Sequence, residues 1–128
     1  MKRLYVLTRN DLGTVYQAVQ GAHVVAQFML DYPNNEWTNG YLIFLAVDDE
    51  QQLKDWVVKL KRMNYYLPDN KKVPLSTFRE PDLDDELTAV AVYSTGSRFS
   101  KLELMGSLEE PNPDIKALKF EIVNQGGL

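Results

Sequence analysis

The chain has no cysteine and only one histidine among its 128 residues. Without cysteine, a disulfide scaffold, a cysteine-ligated zinc ribbon and a thiol nucleophile are excluded. With one histidine, any metal centre that needs two imidazole ligands is excluded as well. We predict no metal and no cofactor, and the available chemistry is that of carboxylates, amides, hydroxyls and one imidazole.

Long apolar runs are also missing from the chain. The longest, Tyr41 to Val47, is far shorter than the roughly 20 residues that a membrane-spanning helix needs. Near the N-terminus, the apolar stretch Leu4 to Leu7 is too short for a signal-peptide core of about 7–15 residues. We therefore predict a soluble, cytoplasmic protein that does not associate with a membrane.

The balance of charge is acidic, with 14 basic and 18 acidic residues and a net charge of -4. This balance disfavours strong nonspecific binding to nucleic acid, although a local basic face is compatible with it. Such a face would consist of six residues: Lys54, Lys59, Lys61, Arg62, Lys71 and Lys72. It either steers an RNA backbone or is an ordinary solvated helix face, and we favour the second interpretation.

Hydrophobic patterning predicts alternating strands and helices. The predicted strands are Leu4 to Thr8, Tyr41 to Val47, Leu75 to Arg79 and Thr88 to Tyr93. The predicted helices run from about Thr14 to Leu30 and from a capping box at Asp48 and Gln51 to about Met63, with a short helix from Ser97 to about Met105. This order indicates one small α/β sandwich over residues 1–107.

Residues 108–128 are predicted to form a C-terminal appendage. They open with the segment Glu109-Glu110-Pro111-Asn112-Pro113, whose prolines and asparagine are typical of a loop at a domain boundary. Within them Leu118, Phe120 and Ile122 alternate with polar residues, which favours a short edge strand.

The first predicted helix carries an apolar arc and a polar stripe. The arc consists of Val15, Ala18, Val19, Ala22, Val25, Ala26, Met29 and Leu30. The stripe consists of Tyr16, Gln20, His23 and Gln27, spaced by four, three and four residues, so that these side chains line up. The stripe is either a ligand site or a solvated face.

Three further features belong to this helix. Asp11 is its predicted N-cap, and Gly21 is expected to allow a close contact. Val24 and Phe28 lie away from the arc, where they either form a dimer contact or pack under the C-terminal tail. His23 is the candidate general base or acid, and Asp11 and Glu80 are the carboxylates that could orient it.

Other sequence motifs are weak or absent. The acidic turn at Asp82, Asp84, Asp85 and Glu86 lacks EF-hand spacing, so we favour a solvated turn over a cation site. The chain contains no Walker loop, GxGxxG or GxSxG motif, so the nucleotide and hydrolase folds that depend on them are not indicated.

Two segments resemble the type 2 peptidyl-tRNA hydrolases. The segment Tyr5-Val6-Leu7-Thr8-Arg9-Asn10-Asp11-Leu12 looks like that family's first strand, which ends in arginine, any residue, aspartate and leucine. The segment Ala18-Val19-Gln20-Gly21-Ala22-His23 is similar to its Ala-Ala-Gln-x-x-His helix. Phe78-Arg79-Glu80-Pro81-Asp82 resembles the Glu-Pro motif of a divergent branch, the peptidyl-tRNA hydrolase domain-containing proteins.

The resemblance implies a three-layer fold, with a mixed sheet of about four strands and helices on both faces. It also implies metal-independent hydrolysis of the ester that joins a peptide to tRNA, so the implied partner is tRNA or peptidyl-tRNA. His23, Glu80, Asp11 and Gln20 would then be catalytic. The implied substrate-binding residues are Tyr16, Arg9, Gln27 and Thr88.

The sequence also departs from the family pattern. No lysine occurs between Lys2 and Lys54, where the family has a Gly-Lys-Gly-Lys-like loop, and the Asp-Ala-Gly-Arg-Thr motif is absent. A second hypothesis is therefore a catalytically inactive member that binds a protein or RNA. A third is a homodimeric scaffold built on Val24, Phe28 and the tail.

Overall fold

Seven regular elements follow one another in the computed structural model of the chain, which describes residues 2–37, 41–94 and 116–123. The helices are α1 (Thr14–Asp31) and α2 (Glu50–Tyr65). The strands are β1 (Arg3–Arg9), β2 (Tyr41–Val47), β3 (Leu75–Glu80), β4 (Glu86–Ser94) and β5 (Lys116–Val123). The predicted helix from Ser97 to Met105 lies outside the described residues.

The five strands form one mixed sheet in the order β3-β4-β1-β2-β5. β1 pairs in parallel with β2 and antiparallel with β4, and β3 pairs antiparallel with β4. β1, β2 and β3 therefore run in the same direction, and their carboxyl ends meet at one edge of the sheet. The mixed α/β fold predicted from the sequence is confirmed.

The two helices pack on opposite faces of the sheet. Tyr5 and Leu7 of β1 belong to a buried cluster with Trp56 of α2. Leu4 and Val6 alternate with them and belong to a second cluster, with α1. Because successive strand residues point to opposite faces, each face of β1 supplies the core for one helix.

The sheet-facing side of α1 differs from the predicted apolar arc. The residues of α1 that are buried are Gln17, Gln20, Gly21, Val24 and Phe28. Val24 and Phe28 are fully buried against the sheet, so the prediction that they form a dimer contact is wrong. The alternative, that they pack under the C-terminal tail, stays a prediction, because the side chains of the tail lie outside the described residues. Most of the arc lies on the surface instead, and Val15 is 80% exposed.

Gly21 brings α1 close to β1 and β2. A Cβ atom there would lie 2.7 Å from Phe44 Cζ and 3.3 Å from Val6 Cγ1, and closer still to Phe44 Cε2. The close contact expected at this glycine is therefore present. The glycine also helps to determine which side of the helix faces the sheet, because any side chain here would force Phe44 to move.

α2 begins one residue later than the capping box predicted. Asp49 is the N-cap, and its carboxylate accepts a hydrogen bond from the Gln52 backbone N–H at 2.9 Å. Gln52 Oε1 in turn accepts from the Asp48 backbone N–H at 2.8 Å. The pairs Asp48–Gln51 and Asp49–Gln52 have the same spacing, so the sequence pattern alone does not separate them.

β5 pairs antiparallel with β2 and lies at the edge of the sheet. The edge strand expected around Leu118 to Ile122 is therefore present, as a continuation of the sheet. The predicted domain boundary at residue 107 lies outside the described residues. Neither described helix is long and apolar enough to cross a membrane.

Glu50 links the start of α2 to β4. Its carboxylate accepts a hydrogen bond from the Leu87 backbone N–H at 2.8 Å and lies 3.5 Å from Lys54 Nζ. The hydrogen bond from Leu87 lowers the pKa of Glu50. Desolvation raises this pKa, and the charge of Lys54 lowers it further.

Replacing Gly21 with alanine is expected to lower the free energy of unfolding by about 1–3 kcal/mol, because the added methyl overpacks the core. This loss exceeds the gain of roughly 1 kcal/mol in helix propensity. Urea unfolding measures the effect, with Phe44→Leu and the double variant as controls. A Gly21→Ala variant as stable as the unmodified protein would contradict the close contact.

Replacing Glu50 with glutamine is expected to remove stability at neutral pH but not in acid. The pKa of Glu50 is lower in the folded protein than in an unfolded chain, where it is about 4.3. The ionised carboxylate therefore stabilises the fold at any pH above that unfolded-state value. That contribution disappears as the pH falls through the folded-state value. Unfolding at neutral pH and at pH of about 3 measures it. An equal difference between the two proteins at both pH values would show that the carboxylate charge is not responsible.

Candidate functional site

His23 lies where α1 packs beside β3, a strip of surface that we call the α1–β3 groove. Its imidazole stacks on the ring of Phe78, with centroids 4.6 Å apart and planes within 3° of parallel. The side chain is exposed, and its nitrogens form no hydrogen bond with any described residue. Histidine changes charge near neutral pH, so an imidazole oriented by stacking and open to solvent can move a proton.

Tyr16 and Glu80 lie together at one end of the groove, where β3 ends. Desolvation raises the pKa of Tyr16, and the charges of Glu80 and Asp82 raise it further. The phenol therefore stays protonated over a wider pH range and remains a hydrogen-bond donor. This end of the groove combines one neutral donor with two carboxylates.

Gln20 lies beneath the groove and holds α1 to β4. Its Oε1 accepts a hydrogen bond from Thr88 Oγ1 at 2.6 Å, and both side chains are fully buried. Its Nε2 is buried without a hydrogen-bond partner. Neither side chain reaches the surface, so their direct role is to position α1.

A bulge in β4 explains the position of Thr88. Phe78 pairs with Ala89 and Arg79 pairs with Leu87, so Thr88 is the extra residue of β4. A bulge turns a side chain away from strict alternation. Leu87 accordingly belongs to the core on the α2 face, whereas Thr88 bonds to α1 on the other face.

Gln17 repeats this arrangement one turn earlier in α1. Thr8 Oγ1 donates to Gln17 Oε1 at 2.8 Å, and both residues are buried. Gln17 lies outside the predicted polar stripe. Its spacing of three and four residues from Gln20 and Gly21 was the available indication that all three share one face.

Arg9 and Asp11 bind each other outside the groove. Arg9 Nε and Nη2 donate to the two carboxylate oxygens of Asp11 at 3.0 and 2.8 Å. Its Nη1 donates to Glu86 Oε1 at 2.7 Å and to the Leu87 carbonyl oxygen at 3.1 Å. The side-chain hydrogen bond to Asp11 and the other carboxylate contacts raise the pKa of Arg9 further, against desolvation.

These contacts bear on two predicted site residues. Arg9 is only 5% exposed, and on β1 it follows the alternation of Tyr5 and Leu7, which pack against α2. The Asp11 carboxylate is held by Arg9 and makes no hydrogen bond to His23. Asp11 is also not the N-cap of α1, because that position is taken by Gly13, whose φ of +77° favours glycine.

Gln27 lies at the other end of the polar stripe. Its Nε2 donates to Asp31 Oδ1 at 2.8 Å, and Asp31 Oδ2 accepts from Ser76 Oγ at 2.7 Å. These bonds join the last turn of α1 to the start of β3. Gln27 therefore lies about three turns from Tyr16 along α1.

Five of the eight predicted site residues lie along the α1–β3 groove or beneath it: Tyr16, Gln20, His23, Glu80 and Thr88. Arg9 and Asp11 lie apart from them, and Gln27 lies beyond the far end of the stripe. Phe78, which orients His23, belongs to the segment with the Glu-Pro motif but was not among the predicted site residues. Alternation along β3 would have placed it on the α1 face.

A cavity of about 420 Å³ lies at the opposite end of α1 from Tyr16 and Glu80. Its lining contains none of the predicted site residues. The lining residues are Asp31, Tyr32, Pro33, Asn34, Asn35, Glu36, Pro74 and Tyr93. The cavity lies at the C-terminal end of α1, whereas the proton-transfer chemistry of the stripe lies at His23 and Tyr16. We locate the candidate site by its chemistry.

The charged patches predicted from sequence are partly engaged within the protein. Lys54 pairs with Glu50, Lys72 lies 3.4 Å from Asp69, and Lys59 lies 5.0 Å from the Trp56 ring centroid. In the turn after β3, no described group of three or more acidic or histidine side chains could hold a metal ion.

The chain matches no protein-family model and no curated protein sequence. The resemblance of its motifs to the type 2 peptidyl-tRNA hydrolases is therefore a prediction. The function has to be argued from the residues of the α1–β3 groove.

Replacing Thr88 with valine is expected to lower the free energy of unfolding by about 1–3 kcal/mol, because Gln20 then loses its remaining side-chain partner. The double variant Gln20→Met/Thr88→Val should recover much of that loss, since no buried amide is left unpaired. Chemical unfolding of the single and double variants measures both effects. A double variant as unstable as the sum of its single variants would contradict this account.

Proposed function

We propose that the chain is a peptidyl-tRNA hydrolase-like protein that cleaves the ester of peptidyl-tRNA or a related acyl-nucleotide in the α1–β3 groove. The observation that carries this proposal is the exposed imidazole of His23, stacked on Phe78 within the same stripe as Tyr16. The resemblance of the helix and Glu-Pro motifs supports the same substrate class. The proposal includes a cytoplasmic location, and a cysteine-free chain is compatible with a reducing compartment.

The proposed reaction uses water as the nucleophile. His23 takes a proton from the water as its oxygen attacks the ester carbonyl, and returns the proton to the ribose oxygen as the ester C–O bond breaks. Glu80 orients the water or the imidazole. In this proposal the protonated phenol of Tyr16 donates a hydrogen bond to a substrate oxygen, which its raised pKa supports.

Gln20 and Thr88 act indirectly in this proposal. Their buried hydrogen bond fixes α1 against β4 and so sets the position of His23, which is one turn further along the helix. Gln27 bonds to Asp31 at the end of α1, where it is a candidate contact for a distal part of the substrate.

The second candidate function is that of a binding module without turnover. Two observations favour it: Asp11 and Arg9 are bound to each other, and α1 carries no lysine or arginine to attract phosphate. The carboxylates of Glu80 and Asp82 beside Tyr16 also disfavour a phosphate at that end. The partner would then be a protein or RNA segment that binds in the groove and is not cleaved.

Turnover of purified peptidyl-tRNA separates the two functions. We expect His23→Ala to lower kcat/KM by roughly 100-fold or more, because it removes the proton-transfer group, and Glu80→Gln to lower it less. Val58→Ala, at an exposed and uncharged position of α2, is the matched control and should leave kcat/KM unchanged.

Unchanged hydrolysis in His23→Ala and Glu80→Gln would show that the assigned site is wrong. An unmodified protein that binds labelled peptidyl-tRNA saturably without cleaving it would instead support the binding module. A protein that neither binds nor cleaves it would rule out both candidates for this RNA.

A further inference from the structure

The cavity where α1 ends, which we call the α1 C-terminal cavity, lies apart from the α1–β3 groove. Its volume of about 420 Å³ falls within the range of roughly 300–1,000 Å³ that is typical of pockets for small molecules. Asp31, which lines it, lies about 22 Å along the helix from Tyr16. An inference about this cavity therefore does not rest on the proposed function.

The lining of the α1 C-terminal cavity carries negative charge. Asp31 and Glu36 line it, and no lysine, arginine or histidine does so among the described residues. Neither carboxylate forms an ion pair within the described part of the chain. Asp31 accepts hydrogen bonds from Gln27 Nε2 and Ser76 Oγ, but these donors are neutral and leave its charge in place.

The backbone of α1 adds to this negative charge. The C-terminal end of a helix carries about half a unit of negative charge, because its last carbonyl groups have no partners within the helix. Helices commonly place a basic side chain there, as α2 does with Arg62. The last turn of α1 contains no basic residue and ends in Asp31 instead. A cation bound at this end would supply the missing charge.

Aromatic residues in the lining indicate which kind of cation fits. Tyr32 and Tyr93 line the cavity together with two prolines, Pro33 and Pro74. The face of an aromatic ring attracts a cation within about 6 Å, and rings and prolines also pack against an apolar stem. A metal ion needs several ligands instead, and the described residues include no group of three or more acidic or histidine side chains that could hold one. The lining thus favours an organic cation.

Hydrogen bonds hold the wall of the cavity in place. The Tyr32 hydroxyl accepts from the Leu75 N–H and donates to the Leu75 carbonyl oxygen, both at 3.1 Å. Asn35 Nδ2 donates to the Tyr32 carbonyl oxygen at 2.7 Å, and Asn35 Oδ1 accepts from the Trp37 N–H at 2.9 Å. These bonds join the loop after α1 to the start of β3. A wall that is ordered before binding lowers the entropic cost of holding a small ligand.

We propose that the α1 C-terminal cavity binds a small organic cation, namely a guanidinium or alkylammonium group on a short apolar stem. The charged group contacts the carboxylates of Asp31 and Glu36, whose oxygens have acceptor positions left for it. The stem packs against Tyr32 and Tyr93. Two sources carry this chemistry: a free amine or guanidine, and a lysine or arginine side chain of a peptide.

Titration with n-propylguanidine, followed by the NMR shifts of the backbone amides, tests the proposal. n-Propylurea is the matched neutral probe, because an oxygen replaces one nitrogen of the guanidinium and the shape is kept. We expect n-propylguanidine to shift the amides of Tyr32, Asn35 and Glu36 saturably, with a dissociation constant of roughly millimolar order or below. n-Propylurea should bind at least about 10-fold more weakly, because it lacks the charge.

Carboxylate variants test the assigned groups. Glu36 is exposed and forms no hydrogen bond with a described residue, so Glu36→Gln should leave the fold intact and weaken n-propylguanidine binding by roughly 3-fold or more. Asp31→Asn should weaken it as well, but this change also alters the bonds to Gln27 and Ser76, so Glu36→Gln is the deciding variant. Asp55→Asn removes an exposed carboxylate of α2 and is the matched control, with unchanged affinity expected.

Three results would overturn the proposal. The first is the absence of a saturable shift of these amides up to about 50 mM n-propylguanidine. The second is equal binding of n-propylurea. The third is an affinity that Glu36→Gln leaves unchanged or lowers no more than Asp55→Asn does, because net charge alone would then account for the binding.

A longer probe distinguishes the two sources of the cation. Nα-acetyl-arginine amide presents the guanidinium as a peptide does, and the corresponding citrulline amide is its neutral counterpart. Binding of the arginine amide at least about 5-fold tighter than that of n-propylguanidine would support a peptide side chain, because its backbone amides then add a hydrogen bond to the protein. Equal or weaker binding would support a free small cation.

Discussion

The contact between α1 and the sheet determines where the other features of the molecule lie. Gly21 lets the helix approach Phe44 at a distance that a side chain would prevent. In the turn of α1 that precedes this contact, Thr8 bonds to Gln17 and Thr88 bonds to Gln20. Together they fix the rotation of the helix about its axis, because each polar pair loses a hydrogen bond if the helix turns.

This rotation divides α1 into three sides with different roles. The side with Val24 and Phe28 completes the core, whereas the side with Tyr16 and His23 borders β3. The third side, centred on Ala22, is left apolar and exposed. The packing of α1 on the sheet thus sets both the position of the candidate site and the exposure of this apolar side.

Charge is used mainly for structure in the part of the chain that is described. Arg9 joins Asp11 to Glu86 across the ends of β1 and β4, and Glu50 joins α2 to the backbone of β4. These contacts hold the edge of the sheet where β1 ends. Arg9, Asp11 and Glu50 are therefore engaged in contacts within the protein.

The amino-acid sequence was sufficient for the order of strands and helices, the mixed α/β class and the polar stripe of α1. These depend on local periodicity, on apolar runs such as Tyr41–Val47 and on short motifs, all of which act between neighbours in the chain. Even the edge strand around Phe120 followed from alternation, and the close contact at Gly21 from a single glycine within a helix.

Only the tertiary structure decided which side of α1 is buried and which residues of the stripe meet β3. Periodicity favoured the arc of Val15, Val19 and Leu30, since hydrophobicity was its only criterion. The folded chain buries Gln17 and Gln20 instead, because distant threonines supply their hydrogen bonds and a glycine permits the approach. Such pairings join residues as far apart as Gln20 and Thr88, and no pattern within one helix contains them.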